Sequence, residues 1–166
     1  MPLNSMQDLM IHKLQDIYDA ENQALQAYPQ IAGTVSSQEL KQALQTHEQQ
    51  TQGQVQRLEQ IFQQLGAQPG GQTCHGMQGL IQESQKIIQE GGAPEVLDAA
   101  IIAAAQAMEH YEIAGYGTAR TLAQQAGMTE AAQLLEQTLE EEKQTDALLT
   151  RLAEQNVNQK AQQAGQ

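Results

Sequence analysis

Apolar residues recur at alternating steps of three and four along four long segments of this chain, and this periodicity constrains the fold more than any other feature. Such a pattern is typical of a helix that turns one face toward the core of a bundle. Glycine and proline residues separate the segments from one another. The pattern predicts helices over residues 5–33, 37–65, 77–90, 94–126 and 130–155, followed by a polar tail over 156–166 that we expect to fray.

The lengths of the connections predict the topology. Only a few residues separate the first two helices and the last two helices, so each of these pairs is expected to be antiparallel. The link over 66–93 is much longer and carries the short helix 77–90. Two helical hairpins joined by one long crossover are the ferritin-like arrangement of a four-helix bundle. We therefore predict an all-α, ferritin-like four-helix bundle with a short fifth helix in its crossover, forming a single domain over residues 1–166.

The charge balance excludes several classes of partner. The chain has 20 acidic and 8 basic residues, a net charge of −12, which argues against binding to nucleic acid or to an anionic membrane surface. Its single cysteine, Cys74, fits a reducing compartment. The opening residues do not resemble a signal peptide, and the longest run of low polarity is too short to cross a bilayer. We expect a cytoplasmic protein.

Ionisable residues interrupt the apolar stripe of every long helix, and they are Glu21, His47, Glu109, Glu112, Glu142 and Asp146. An ionised carboxylate in an apolar interior is costly unless it is paired or bound to a metal. Most of these residues lie roughly 18–24 Å along their helices from the nearest short turn, at 1.5 Å per residue. They are therefore expected to form one layer at the middle of the bundle.

This layer has the composition of a metal site. Carboxylate oxygens with an imidazole suit iron or manganese, and less decisively zinc. Dinuclear carboxylate sites are built at the middle of ferritin-like bundles. The six residues are thus candidate ligands for one or two iron or manganese ions. The alternative is a non-catalytic structural or interaction bundle, in which ion pairs and amide hydrogen bonds hold the same layer together.

Three stretches resemble the YciE/YciF-like family of bacterial stress proteins, and they are HKLQDIYDAENQ, AAIIAAAQAMEHYEIAGYGTARTLAQ and LEEEKQTDALL. The resemblance implies a ferritin-like fold, a cytoplasmic homodimer, a role in stress responses and a dinuclear metal centre. Such a centre would have oxidase-like, peroxidase-like or metal-sequestering activity, on a small-molecule substrate that the resemblance does not identify. The inward acidic positions of the family fall on Glu21, Glu109, Glu112 and Glu142, and its histidine falls on His47.

One departure from the family pattern bears on metal binding. The family usually reads HLEET after the histidine, whereas this chain reads HEQQT, so that Gln49 and Gln50 replace two carboxylates. The Glu-x-x-His pairs of well-studied di-iron proteins are also absent, because position 145 is Thr. We therefore expect a weaker or mononuclear site, or none, and we expect the substitution Gln50→Glu to raise the affinity for metal.

Overall fold

A computed structural model describes residues 2–164 of the chain, which form helices and no strand. The tail positions 165 and 166, for which we predicted fraying, lie outside the described residues. The helices are α1 (Met6–Thr34), α2 (Gln38–Leu65), α3 (His75–Glu90), α4 (Pro94–Gln125), α5 (Thr129–Leu152) and, after a π-helical turn at Ala153–Val157, α6 (Asn158–Ala164). The bounds of the first four helices and the start of the fifth lie within two residues of the predicted positions.

Local interactions explain where the helices begin and end. The Ser5 hydroxyl accepts a hydrogen bond from the backbone N–H of Asp8 and caps α1. Gly66, at the end of α2, adopts a φ of 61°, a left-handed conformation that glycine tolerates best. Helix α3 begins two residues earlier than predicted, because the buried Cys74 thiol accepts a hydrogen bond from the backbone N–H of Met77.

The helices pack as the predicted all-α, ferritin-like four-helix bundle. Helices α1 and α2 form one hairpin and α4 and α5 form the other. The hairpins meet through contacts of α1 with α4 and of α2 with α5, and α3 lies against α1 and α4. The long crossover between α2 and α4 therefore carries its short helix along one side of the bundle.

Two apolar clusters occupy the opposite ends of the bundle. The first contains Leu58 and Leu135 and lies at the end of the bundle where α4 turns into α5. The second contains Leu40, Ile101 and Leu149, near the turn between α1 and α2. On each of the four long helices, the predicted polar positions lie between residues of these clusters. The bundle therefore places its polar layer at mid-height, where water is excluded.

Asp98 stabilises the turn between α1 and α2, a role that the sequence pattern did not suggest. Its side chain, only 3% exposed, accepts hydrogen bonds of 2.7–2.8 Å from the Ser36 hydroxyl and from the backbone N–H groups of Ser36 and Ser37. These contacts join the start of α4 to the first hairpin. They hold the two hairpins in register at the end of the bundle where α1 turns into α2.

The polar tail, for which we predicted fraying, is helical as far as the structure describes it. Helical structure continues from α5 through the π-helical turn and α6 to Ala164. Val157 is 2% exposed and joins the apolar cluster at that end of the bundle, and Asn156 donates a hydrogen bond to Glu39. One apolar side chain at the right position thus docks a segment whose average composition is polar.

No helix among the described residues has both the length and the apolar character needed to cross a membrane.

Candidate metal centre

The structure brings together five of the six candidate ligands at the middle of the bundle. These are Glu21, His47, Glu109, Glu112 and Glu142, and none of them is more than 1% exposed. Four of the five offer ligand atoms that all lie within 4.8 Å of one another, and these four are His47, Glu109, Glu112 and Glu142. Because they come from α2, α4 and α5, the cluster depends on the packing of both hairpins.

His47 points one ring nitrogen at the carboxylates and the other away from them. Its Nε2 lies 3.1 Å from Oε1 of Glu109 and 3.4 Å from Oε2 of Glu142. Its Nδ1 lies 3.0 Å from the Thr145 hydroxyl oxygen and 3.3 Å from the amide oxygen of Gln50. These two oxygens favour the tautomer in which Nδ1 carries the proton, and this leaves the Nε2 lone pair facing the carboxylates. A metal-bound histidine needs this arrangement.

Two buried tyrosines contact residues at the edge of the cluster. The Tyr28 ring packs edge-on against the His47 imidazole, with 5.4 Å between the ring centroids, and its hydroxyl lies 3.5 Å from Glu109. The Tyr116 hydroxyl donates a short hydrogen bond to Oε1 of Glu21. Glu21 thus has one fixed oxygen, while its other oxygen, Oε2, has no hydrogen-bond partner.

Polar atoms without hydrogen-bond partners are concentrated in this layer. Of the nine buried side-chain nitrogen and oxygen atoms that lack a partner among the described residues, eight belong to the layer. They are Oε2 of Glu21, Nε2 of His47, Oγ1 of Thr51, Oε1 of Gln54, Oε2 of Glu109, both carboxylate oxygens of Glu112 and Oε2 of Glu142. Each such atom costs roughly 1–3 kcal/mol if it stays unsatisfied. His47, Glu109, Glu112 and Glu142 offer ligand atoms close enough together for one cation, so the residues present fit a metal ion.

Burial raises the pKa of every carboxyl group in the cluster. Desolvation, followed by the charge of Glu142, raises the pKa of Glu21 from 4.5 to about 8. Desolvation also raises the pKa of Glu109 to about 8, and it raises the pKa values of Glu112 and Glu142 well above the ordinary value. Four carboxylates this close cannot all be ionised unless cations neutralise them.

The structure does not bring Asp146, the sixth candidate ligand, into the cluster. Its carboxylate lies 3.1 Å from Nε2 of the exposed His110 and accepts a hydrogen bond of 3.0 Å from Gln106. Four residues of helix carry a side chain about 6 Å along the axis and about 40° around it. That offset turns Asp146 from the position of Glu142 toward the surface of α4.

The amide that lies among the carboxylates is Gln54, and not Gln50 as the sequence pattern indicated. Gln50 contacts the imidazole at Nδ1, on the side away from the carboxylates. Gln54 is fully buried and donates hydrogen bonds from Nε2 to Glu142 and to Oε2 of Glu141. Gln54 follows His47 by seven residues, which places both on the same face of α2, and this spacing is the signal in the sequence that points to Gln54.

The comparisons with known proteins agree with this fold. A family described as "Domain of unknown function (DUF892)" matches residues 5–162. Protein YciF of Escherichia coli (strain K12) is 45% identical over 163 residues, which cover 98% of each chain. The crystal structure of the E. coli stress protein YciF matches with a TM-score of 0.90 and 46% identity, over 93% of this chain and 98% of that chain.

Two further solved structures extend the comparison. YcfI of Rhodopseudomonas palustris, a proposed structural protein, matches with a TM-score of 0.87 and 41% identity, over 89% of this chain and 94% of that one. A protein from Xanthomonas campestris pv. campestris is only 21% identical, with a TM-score of 0.77 over 98% of this chain and 100% of that one. This last likeness shows the fold alone.

Proposed function

The chain belongs to the DUF892 family, and we propose that it is a stress-response protein that binds divalent iron or manganese in its buried carboxylate cluster. The observation that carries the proposal is the concentration of eight unpartnered polar atoms in one enclosed layer. The chain is 45% identical to YciF, which the description of its crystal structure calls a stress protein, and this similarity supports a role in the stress response.

His47, Glu109, Glu112 and Glu142 would hold one ion, because their ligand atoms already lie close together. Glu21 and the unpartnered amide oxygen of Gln54 would contribute to a second. Charge balance supports two ions, since four carboxylates carry −4 and two divalent cations carry +4. The amide at Gln54 therefore does not limit the site to one ion, although it supplies one negative charge fewer than a carboxylate would.

Iron or manganese in this cluster would supply the electrons for reducing dioxygen or a peroxide. The side chains of the chain itself would prepare the site. The apolar clusters above and below exclude water, Thr145 fixes the tautomer of His47, and Tyr116 fixes one oxygen of Glu21. Sequestration of the metal needs only these binding functions, whereas an oxidase-like or peroxidase-like activity also needs a substrate.

Thermal unfolding with and without metal tests this proposal. Metal-free protein is heated after addition of Mn(II), or of Fe(II) without oxygen, and is compared with the double variant Glu109→Gln/Glu142→Gln. An ion at a hundredfold excess over its dissociation constant adds about 2.7 kcal/mol to the unfolding free energy. We expect a higher Tm for the wild type and no change for the double variant. A surface variant, Glu140→Gln, serves as the control and should respond like the wild type.

The second candidate function is a structural bundle without metal. The hydrogen bond between Gln54 and Glu142 favours it, because an amide can satisfy a carboxyl group without a cation. The raised pKa values of the carboxyl groups favour it as well, since protonated groups need no counter-charge. This candidate predicts the same Tm with and without metal in the thermal experiment.

Two expectations from the family resemblance complete the proposal, a cytoplasmic location and a homodimer. The apolar residues of α3 from Leu80 to Ile88 are our candidate for the dimer contact, since several of them remain partly exposed. Light scattering tests the oligomeric state, and a monomeric mass would remove this part of the proposal.

A further inference from the structure

The buried cluster is closed on most sides, so an ion needs a defined path to it. Tyr28 and Tyr116, which contact Glu109 and Glu21, are no more than 1% exposed. The apolar clusters close the two ends of the layer. The face between α2 and α5 differs, because a series of hydrogen-bonded polar side chains leads there from the surface to the cluster.

Gln54 connects the cluster to a partly exposed carboxylate. Its Nε2 donates hydrogen bonds both to the buried Glu142 and to Oε2 of Glu141, the latter at 3.2 Å. Glu141 is the next residue before Glu142 on α5, and its side chain is 19% exposed. Successive residues of a helix point about 100° apart, so one carboxylate faces inward and the other outward, with the amide between them. The amide oxygen of Gln54 is buried and has no partner.

Arg57 covers the outer carboxylate. Its guanidinium binds both oxygens of Glu141, at 2.8 Å and 2.7 Å, and also donates to the Thr138 hydroxyl at 3.0 Å. Next to it, Gly53 leaves open space, since a Cβ at that position would have only Nη2 of Arg57 near it, at 4.0 Å. The positive charge repels a cation, but the guanidinium has room to move away.

We propose that Glu141 and Gln54 form the path by which divalent cations reach the buried cluster, and that Arg57 closes this path. This inference rests on the proposed function. The guanidinium leaves Glu141, a cation binds the freed carboxylate, and the unpartnered oxygen of Gln54 provides the next ligand on the way to Glu142. All three ligands are oxygens, which suit divalent cations such as Mn(II). Rupture of the ion pair between Arg57 and Glu141 then limits the rate of uptake.

Stopped-flow uptake of Co(II), followed by its visible absorption, tests the path in metal-free full-length protein. We expect Arg57→Gln to take up Co(II) roughly tenfold faster than the wild type, the change for loss of one bidentate pair that limits the rate. The final stoichiometry should stay the same. The double variant Arg57→Gln/Glu141→Gln should bind the same amount more slowly than Arg57→Gln, because the outer carboxylate is then missing from an open path. Arg120→Gln, which breaks the ion pair of 2.6 Å with Glu136 between α4 and α5, is the matched control.

The outcomes separate this inference from the proposed function. Faster uptake in Arg57→Gln alone supports the path. Equal rates in Arg57→Gln and the wild type overturn it, and so does an equal acceleration in Arg120→Gln, which would mean that uptake follows general loosening of the bundle. If the wild type binds Co(II) at equilibrium and only the rates contradict the prediction, the path fails and the metal site stands. If the wild type binds no Co(II), the proposed function fails, and the path fails with it.

Discussion

Replacing Glu21 by glutamine should stabilise the metal-free protein, and the gain should grow with pH. Glu21 is fully buried, and its pKa lies at about 8 in the fold against 4.5 as the ordinary value. Between these values the folded protein holds a proton that the unfolded chain has lost. The stability that protonated Glu21 contributes is therefore complete below about pH 4.5, and it disappears as the pH rises through about 8. The amide of the variant Glu21→Gln needs no proton and can still accept the hydrogen bond of Tyr116.

The size of the effect follows from the shift in pKa. A shift from 4.5 to about 8 corresponds to about 5 kcal/mol over the full range, at 1.36 kcal/mol per pH unit. Between about pH 5 and about pH 8 the wild type should lose roughly 3–4 kcal/mol through this one group. Since the unfolding free energy of a domain is typically about 5–15 kcal/mol, the loss is large enough to bring the metal-free protein close to unfolding.

Urea unfolding followed by circular dichroism, with a chelator present, measures this difference. We expect the stability of Glu21→Gln relative to the wild type to rise by roughly 3–4 kcal/mol from pH 5 to pH 8. The control variant Glu140→Gln replaces an exposed carboxylate of the same chain and should follow the wild type. A difference between Glu21→Gln and the wild type that does not change with pH would refute the argument, as would a variant that is less stable at pH 8.

Three further substitutions test separate contacts. Thr145→Val removes the hydroxyl that contacts Nδ1 of His47, and it should weaken Mn(II) affinity about 10–100-fold in a calorimetric titration. Gln50→Glu should raise the affinity in the same titration, because a carboxylate beside Nδ1 makes the imidazole a more basic ligand; unchanged affinity would count against this contact. Gly76→Ala would place a Cβ 2.5 Å from the Tyr111 ring, whose hydroxyl is held by hydrogen bonds, so urea unfolding should show a loss of about 1–3 kcal/mol.

The helices and their topology were predictable because the residues that end each helix and the lengths of the links between helices indicate the same bundle. Ser5 and Gly66 mark helix ends by interactions that involve only neighbouring residues. The long link between α2 and α4 argues against an up-down-up-down bundle, in which all the links are short. The polar layer was predictable for a similar reason, since the rise per residue converts positions in the sequence into heights along each helix.

The details of the site depend on rotation about each helix axis and on contacts between helices, which position along the chain does not determine. Asp146 follows Glu142 by about one turn of α5, but four residues leave a rotation of about 40° about the helix axis, and the packed structure places the Asp146 carboxylate beside His110. Gln54 lies among the carboxylates because α2 faces α5 at that height, and its neutral side chain offered no electrostatic signal. Val157 is a single apolar residue in a polar segment, and only the packed structure shows that it is buried.

Metal content tests the central proposal most directly. The protein is purified without a chelating tag or added metal, and its elements are analysed beside those of the double variant Glu21→Ala/Glu142→Ala. The proposal predicts about two iron or manganese ions per chain in the wild type and their loss in the variant. Less than about a tenth of an equivalent in the wild type, with no uptake after addition of Fe(II) or Mn(II), would contradict it.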